Sequence, residues 1–388
     1  MELLIIYIFL LISVFLEILN SDLKDLFFKS GVIILCMFLF FRYGQGVDYF
    51  NYIYAFKSSN DAVSDFIKYG SFSNRFEIGF SWISYFFLTV LKIRVEILIS
   101  IFSIIAFLPV ALFIKKYSNK PNLAIFYYFS FFFLIYSYSG IRQGVCISLF
   151  TFYLLPLLFE KKMTKYYLGV ALLVLIHNSA MLLFILPFLL MITLNRKIIL
   201  VYLLISLVIG IVIMPIVLSI VFPSFGTAGE LVNQYSEKKN SGFDVLSLLI
   251  RLMIYIPIYY YYFEKRAFKV EFMKFLFNVY TFSLIFYFLF AFNSLLSSRF
   301  SIYFRLMEPV LLTNIFVVNK VYNSIFLKRA FVLLISIIMY IKSVQTELLL
   351  GEYKKNLEFY EIPYVTLFNK KEIFKYRNVS TVFYSYLD

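Results

Sequence analysis

Residues 40–56 read FFRYGQGVDYFNYIYAF: an apolar run stops at Arg42, and a polar, tyrosine-rich stretch begins. The sixteen residues before Arg42, 26–41, are almost wholly apolar, so the change of chemistry marks the edge of a membrane. Gly44 and Gly46 let the backbone leave a helix without a Cβ penalty, and Asp48, Asn51 and Tyr52 follow close behind Arg42. Two readings fit. One is an interfacial anchor, with arginine reaching for headgroups, tyrosines lying among them and glycine ending the helix. The other is a binding site, and the rest of the chain bears on which holds.

Working outward, hydrophobic residues make up 62% of the 388, well above the roughly half usual in soluble proteins. The chain therefore reads as all-α, a polytopic integral membrane protein of about 10–13 transmembrane helices. Candidate spans fall near 3–19, 26–41, 77–92, 95–114, 122–138, 140–159, 166–194, 198–221, 245–263, 272–292, 300–318 and 329–345. The first has no basic flank and no small-residue cleavage site, so it is expected to remain as a helix. Residues 1–345 form one transmembrane domain in this reading and 346–388 a tail, with 42–76 and 222–244 as the longer connections. Cys36 and Cys146 sit inside apolar runs as small hydrophobes. The net charge of +14 is spread between the runs and not gathered on one polar surface, which argues against nucleic acid as a partner.

Lysine and arginine orient the spans. Lys115, Lys116 and Lys120, then Lys161, Lys162 and Lys165, then Lys265, Arg266 and Lys269, then Lys320, Lys328 and Arg329 mark four cytoplasmic loops. The turn at Ser139–Gln143 and the loop 222–244 then face the other side. This parity requires a break or re-entrant turn in 166–194 near His177 and Asn178, against the alternative of one long tilted helix. If the 42–76 connection also faces outward, 77–92 is not a full crossing.

His177 is the only histidine, and an ionisable group at membrane depth is a functional candidate because burying it is costly. Arg42, Arg142, Arg299 and Arg305 all lie at or just inside span ends, where guanidinium can hold phosphate by paired hydrogen bonds. Arg305 and Glu308 also share a helical face and can simply pair. A phosphate-cradling GxxxxGK[ST] loop, an HExxH helix and a zinc-spaced cysteine cluster are all missing, so neither a cofactor nor a metal is expected.

The order RYGQGVDYFNY, EIGF, IRQGV, HNSAMLLFILPF, RFSIYF and IPY resembles the EpsG-type branch of the Wzy-like polysaccharide polymerases, from Arg42 to Tyr364. The resemblance implies a GT-C-like architecture and a glycosyltransferase at the outer face of the bacterial inner membrane. A growing O-antigen or exopolysaccharide chain would pass from undecaprenyl pyrophosphate to the non-reducing end of a lipid-linked repeat unit. It implies Arg142 and Arg305 at the pyrophosphate, with Arg42 and Arg299 as further candidates, and His177 or Asp48 as base. Gln143, Asn178, Asn51, Tyr52 and Tyr303 would hold sugar hydroxyls or the charged groups. Partners would be the lipid-linked donor and acceptor, the bilayer and a chain-length regulator. An O-antigen ligase, a lipid-linked oligosaccharide flippase or other transporter, and a membrane protein without chemistry are the rivals.

Overall fold

The computed structural model describes residues 2–70, 76–221, 245–265, 268–315, 322–354, 357 and 362–378. The expected loop 222–244 lies outside the described residues, as do Arg266 and Lys320. Among the described residues the chain is helical, with two isolated bridges in place of any sheet. Among the described residues, six helices are long and apolar enough to cross a membrane: Val95–Tyr117, Ile141–Phe159, Arg196–Val217, Val245–Phe263, Glu271–Leu289 and Arg329–Leu350. The protein is an all-α polytopic membrane protein.

Two expected segments differ from their sequence reading, and a third, 77–92, is shorter than a full crossing. The connection 42–76 contains a helix, Tyr49–Tyr69, because Tyr49, Phe50, Tyr52, Ile53, Phe56 and Val63 make an apolar stripe against the core. The run 300–318 is divided into Ser294–Arg305 and Glu308–Asn314, since Pro309 lacks the N–H that a helix interior needs. The run 77–92 gives a helical stretch Ile78–Val90, about 20 Å long at 1.5 Å per residue, against roughly 30 Å of hydrocarbon.

The chain divides into two compact units, Met1–Met181 with Asn319–Asp388, and Leu182–Val318. In the first, α1 is Glu2–Ile18, α2 Lys24–Phe41, α3 Tyr49–Tyr69, α4 Ile78–Tyr85, α5 Val95–Tyr117, α6 Pro121–Tyr128, α7 Ile141–Leu149, α8 Leu155–Phe159 and α9 Met163–Ile176. Helix α5 is apolar on all sides and lies at the centre, packed against α2, α3 and α7. A wide-turn π segment, Phe129–Ser139, joins α6 to the turn before α7 and packs against the helix Tyr322–Leu350.

The polar stretch after α2 is folded around Arg42, which is 1% exposed. Its NH1 donates to the carbonyls of Gln45, at 2.8 Å, and Tyr138, its NH2 donates to Ser103 Oγ at 2.8 Å, and its guanidinium lies 4.2 Å from the Tyr138 ring centroid. Ser139 Oγ accepts from the Val47 amide and donates to Glu347 at 2.9 Å. The segment expected as a tail completes this arrangement. Tyr43 N–H donates to Val365 at 2.8 Å, Leu367 N–H to Phe41 at 2.9 Å, and Gln45 Nε2 to the Pro363 carbonyl. Arg377 NH1 donates to the carbonyls of Gly44 and Gly46 at 2.7 and 2.9 Å.

Gly46 has φ +100°, and a Cβ there would stand 2.5 Å from the Tyr138 carbonyl oxygen and 2.8 Å from Arg42 NH1. Gly46→Ala is therefore expected to destabilise the protein by about 1–3 kcal/mol from the backbone conformation alone. A thermal-unfolding midpoint in detergent equal to the native one would contradict this packing.

The second unit is built on the helix Glu271–Leu289, which packs against Arg196–Val208 and Ser294–Arg305. Asn293 starts the last of these by accepting from the amides of Leu295 and Leu296, both at 3.0 Å. Tyr255 and Thr281 hydrogen-bond between neighbouring helices at 3.1 Å.

Candidate functional site

The apolar run 166–194 is divided at the only histidine. Helix α9 ends at Ile176, His177 is extended at φ −154°, ψ 117°, and a 3₁₀ turn runs from Asn178 to Phe184. Leaving the helix there turns the imidazole toward the residue just before α4. Glu77 Oε1 lies 3.1 Å from His177 Nδ1 and accepts the Asn178 amide at 3.2 Å. Glu77 Oε2 accepts from Arg142 NH1 at 2.5 Å. One carboxylate thus joins the first turn of α7 to the end of α9.

Local packing makes this meeting rigid. A Cβ on Gly79 would stand 2.6 Å from Leu175 Cβ and 2.8 Å from its carbonyl oxygen, so glycine lets α4 lie directly on α9. The Arg142 guanidinium is flanked by Phe76 and Phe80, with centroids at 5.0 and 5.3 Å, and by Tyr52 at 6.0 Å. The Arg142 amide donates to Tyr52 Oη at 3.4 Å, and Asp48 is near enough to act on its charge. The side chains of Glu77, His177 and Arg142 are 8%, 17% and 21% exposed, so water or a ligand can reach the histidine and arginine more readily than the acid.

Burial alone pushes the Glu77 carboxyl up. The hydrogen bond with His177 and the charge of Arg142 outweigh it and hold the pKa at about 2, so Glu77 is ionised at neutral pH.

Arg142, His177 and Tyr52 are thus brought together, with Asp48 beside them. Asp48 is half-buried and Asn51 exposed at the start of α3, with Asn51 Nδ2 donating to Asp48 Oδ1 at 3.3 Å. Asn178 takes part through its backbone, and Gln143 is buried one residue beyond Arg142. Arg42, read from the sequence as a further phosphate candidate, is buried apart from this cluster's carboxylate. Its NH1 and NH2 groups are turned onto Gln45, Tyr138 and Ser103 inside the core, because two carbonyls and a hydroxyl there would otherwise lack a donor. In the second unit, Arg305 Nε donates to Glu308 Oε1 at 2.7 Å, and Tyr280 Oη donates to the same oxygen at 2.9 Å. The helical pairing that the sequence left open is the one formed. Tyr303 is buried and Arg299 half-buried on the same helix.

Sequence reading passed over Glu77 as the polar start of a short apolar run. The signal was the first letter of EIGF: a lone acid immediately before an apolar helix needs a partner if it is buried, and the partners are the arginine of IRQGV and the histidine of HNS.

Among known proteins, the model of the EpsG family matches residues 25–365, a stretch that contains every residue of this cluster. No curated protein matches, and no solved structure does.

Proposed function

Because the chain belongs to the EpsG family, we propose that it is a polysaccharide polymerase acting on lipid-linked glycans at the outer face of the cytoplasmic membrane. The donor is a growing chain on undecaprenyl pyrophosphate and the acceptor a lipid-linked repeat unit. The observation that carries the reading is the convergence of the only histidine and a half-buried arginine on one carboxylate, from motifs 35 positions apart in a chain otherwise dominated by apolar helices.

In this reading the acceptor hydroxyl gives its proton to His177 and its oxygen forms the new bond to the anomeric carbon. The bond from that carbon to the phosphate oxygen breaks, and the pyrophosphate leaves with the electron pair, its growing charge facing Arg142. Arginine supplies the positive charge, so the step as written calls on no metal ion. Tyr52, Asp48 and Asn51 line the start of α3 nearby and are assigned to sugar hydroxyls, while Arg42 holds the loop that places them.

The test is a gel of surface glycan from a strain lacking the gene, beside the same strain carrying it. A ladder reduced to core plus one repeat unit supports a polymerase. Loss of every repeat from the core, with polymer kept on the carrier lipid, means ligase, and no exposed repeat unit at all means flippase. In the complemented strain His177→Gln is expected to slow chain lengthening by about 10²–10⁴-fold, the usual contribution of a positioned base. A normal ladder from that variant would transfer the base to Asp48.

A further inference from the structure

We propose that Glu77 is the positioning residue of this site: its two carboxylate oxygens hold His177 as the Nδ1–H tautomer and fix Arg142 at a set distance from it, so that Nε2 takes the acceptor's proton beside the leaving anion. The inference rests on the polymerase reading for what is bound there. It does not rest on that reading for the geometry.

The argument begins with what a carboxylate can do. An ionised carboxylate only accepts hydrogen bonds, so the nitrogen 3.1 Å from Glu77 Oε1 must carry the hydrogen. In a neutral imidazole the second nitrogen is then the proton acceptor. A free imidazole favours hydrogen on Nε2, which would leave the wrong nitrogen to act as base. Glu77 is thus set to reverse the ring's own preference.

The same group restrains the cation. Oε2 is taken by Arg142 NH1 at 2.5 Å while Oε1 serves His177 and the Asn178 amide, so neither partner competes for an oxygen. Phe76 and Phe80 beside the guanidinium, and the backbone contact at Gly79, keep the acid from swinging away. A base and a cation that must act in one transition state gain from being tied to one rigid group, because a misplacement of about 1 Å can cost 10²-fold in rate.

Since His177 is the only histidine, [¹⁵N]histidine labelling of the full chain in detergent gives a single ring to observe. The native protein at mildly alkaline pH should show the Nδ1–H tautomer, and Glu77→Ala should move the ring toward Nε2–H. If the alanine variant is not recovered from membranes, Glu77→Leu takes its place. In cells, Glu77→Gln should slow chain lengthening by about 10²-fold, yet cost less when added to His177→Gln than it does alone, because the part of its effect that runs through His177 is already gone. An Nε2–H ring in the native protein, a tautomer indifferent to Glu77, or losses that multiply would overturn the proposal. The ring signal does not depend on the reaction. A native Nδ1–H signal with an unchanged ladder in the gene-deletion strain would therefore remove the polymerase reading alone.

Discussion

Arg142→Ala is expected to reduce the surface glycan to single repeat units, with the rate of chain lengthening down by at least about 10²–10³-fold, the cost of losing one preorganised group at a developing oxyanion. Two losses combine. The leaving pyrophosphate no longer faces a cation, and Glu77 Oε2, 8% exposed with its side chain, is left without the guanidinium that neutralises it. Arg142→Lys separates the two. Lysine restores a positive charge beside Glu77, but it cannot reproduce the planar fork between Phe76 and Phe80. It should therefore accumulate in membranes at the native level and still lengthen chains at least tenfold more slowly. Ladders of native length from Arg142→Ala, at native protein abundance, would take Arg142 out of the site.

The fold was legible from apolar runs alone because backbone polar groups in hydrocarbon must be satisfied within helices. Val95–Tyr117 and Glu271–Leu289 lie close to where hydropathy puts them. What hydropathy could not show was the helix Tyr49–Tyr69, whose buried stripe alternates with Lys57, Asn60, Asp61 and Asp65. That pattern averages to a polar loop when read by composition, and it becomes a helix only once its packing partner is known. The site was half legible for a related reason. Arg142 and His177 stand out because a charge or an imidazole in an apolar run is costly and rare. Glu77 does not stand out, because an acid just before a helix N-terminus is ordinary. Its value lies in two contacts formed across 65 and 100 positions of sequence, which no local pattern encodes. The segment 362–377 was unreadable in the same way: Pro363, Val365 and Arg377 acquire their role only by meeting the stretch that follows α2.

Arg42→Ala is expected to destabilise the protein by about 3–5 kcal/mol, the range for removing one partner from a buried charged network. The guanidinium is donor to two carbonyls and a hydroxyl, stacks on Tyr138, and lies within electrostatic reach of the buried Glu347. Truncation leaves those acceptors without their donor and takes from Glu347 one of the two arginine charges that act on it, the other being Arg377. Arg42→Lys should recover little, since one ammonium cannot serve acceptors on the loop, on the π segment and on α5 at once. The measurement is the unfolding midpoint in detergent, with Arg377→Ala and the double variant beside it. Both arginines fasten the same short loop, Arg42 at Gln45 and Arg377 at Gly44 and Gly46, so the double variant should lose less than the two single losses combined. Independent losses would mean that the C-terminal segment does not support the loop through Arg42. A stable Arg42→Ala protein with a normal ladder would instead place Arg42 outside both core and chemistry. The distinction matters for reading the arginine variants: loss of polymer from Arg42→Ala should track loss of folded protein, whereas loss from Arg142→Lys should not.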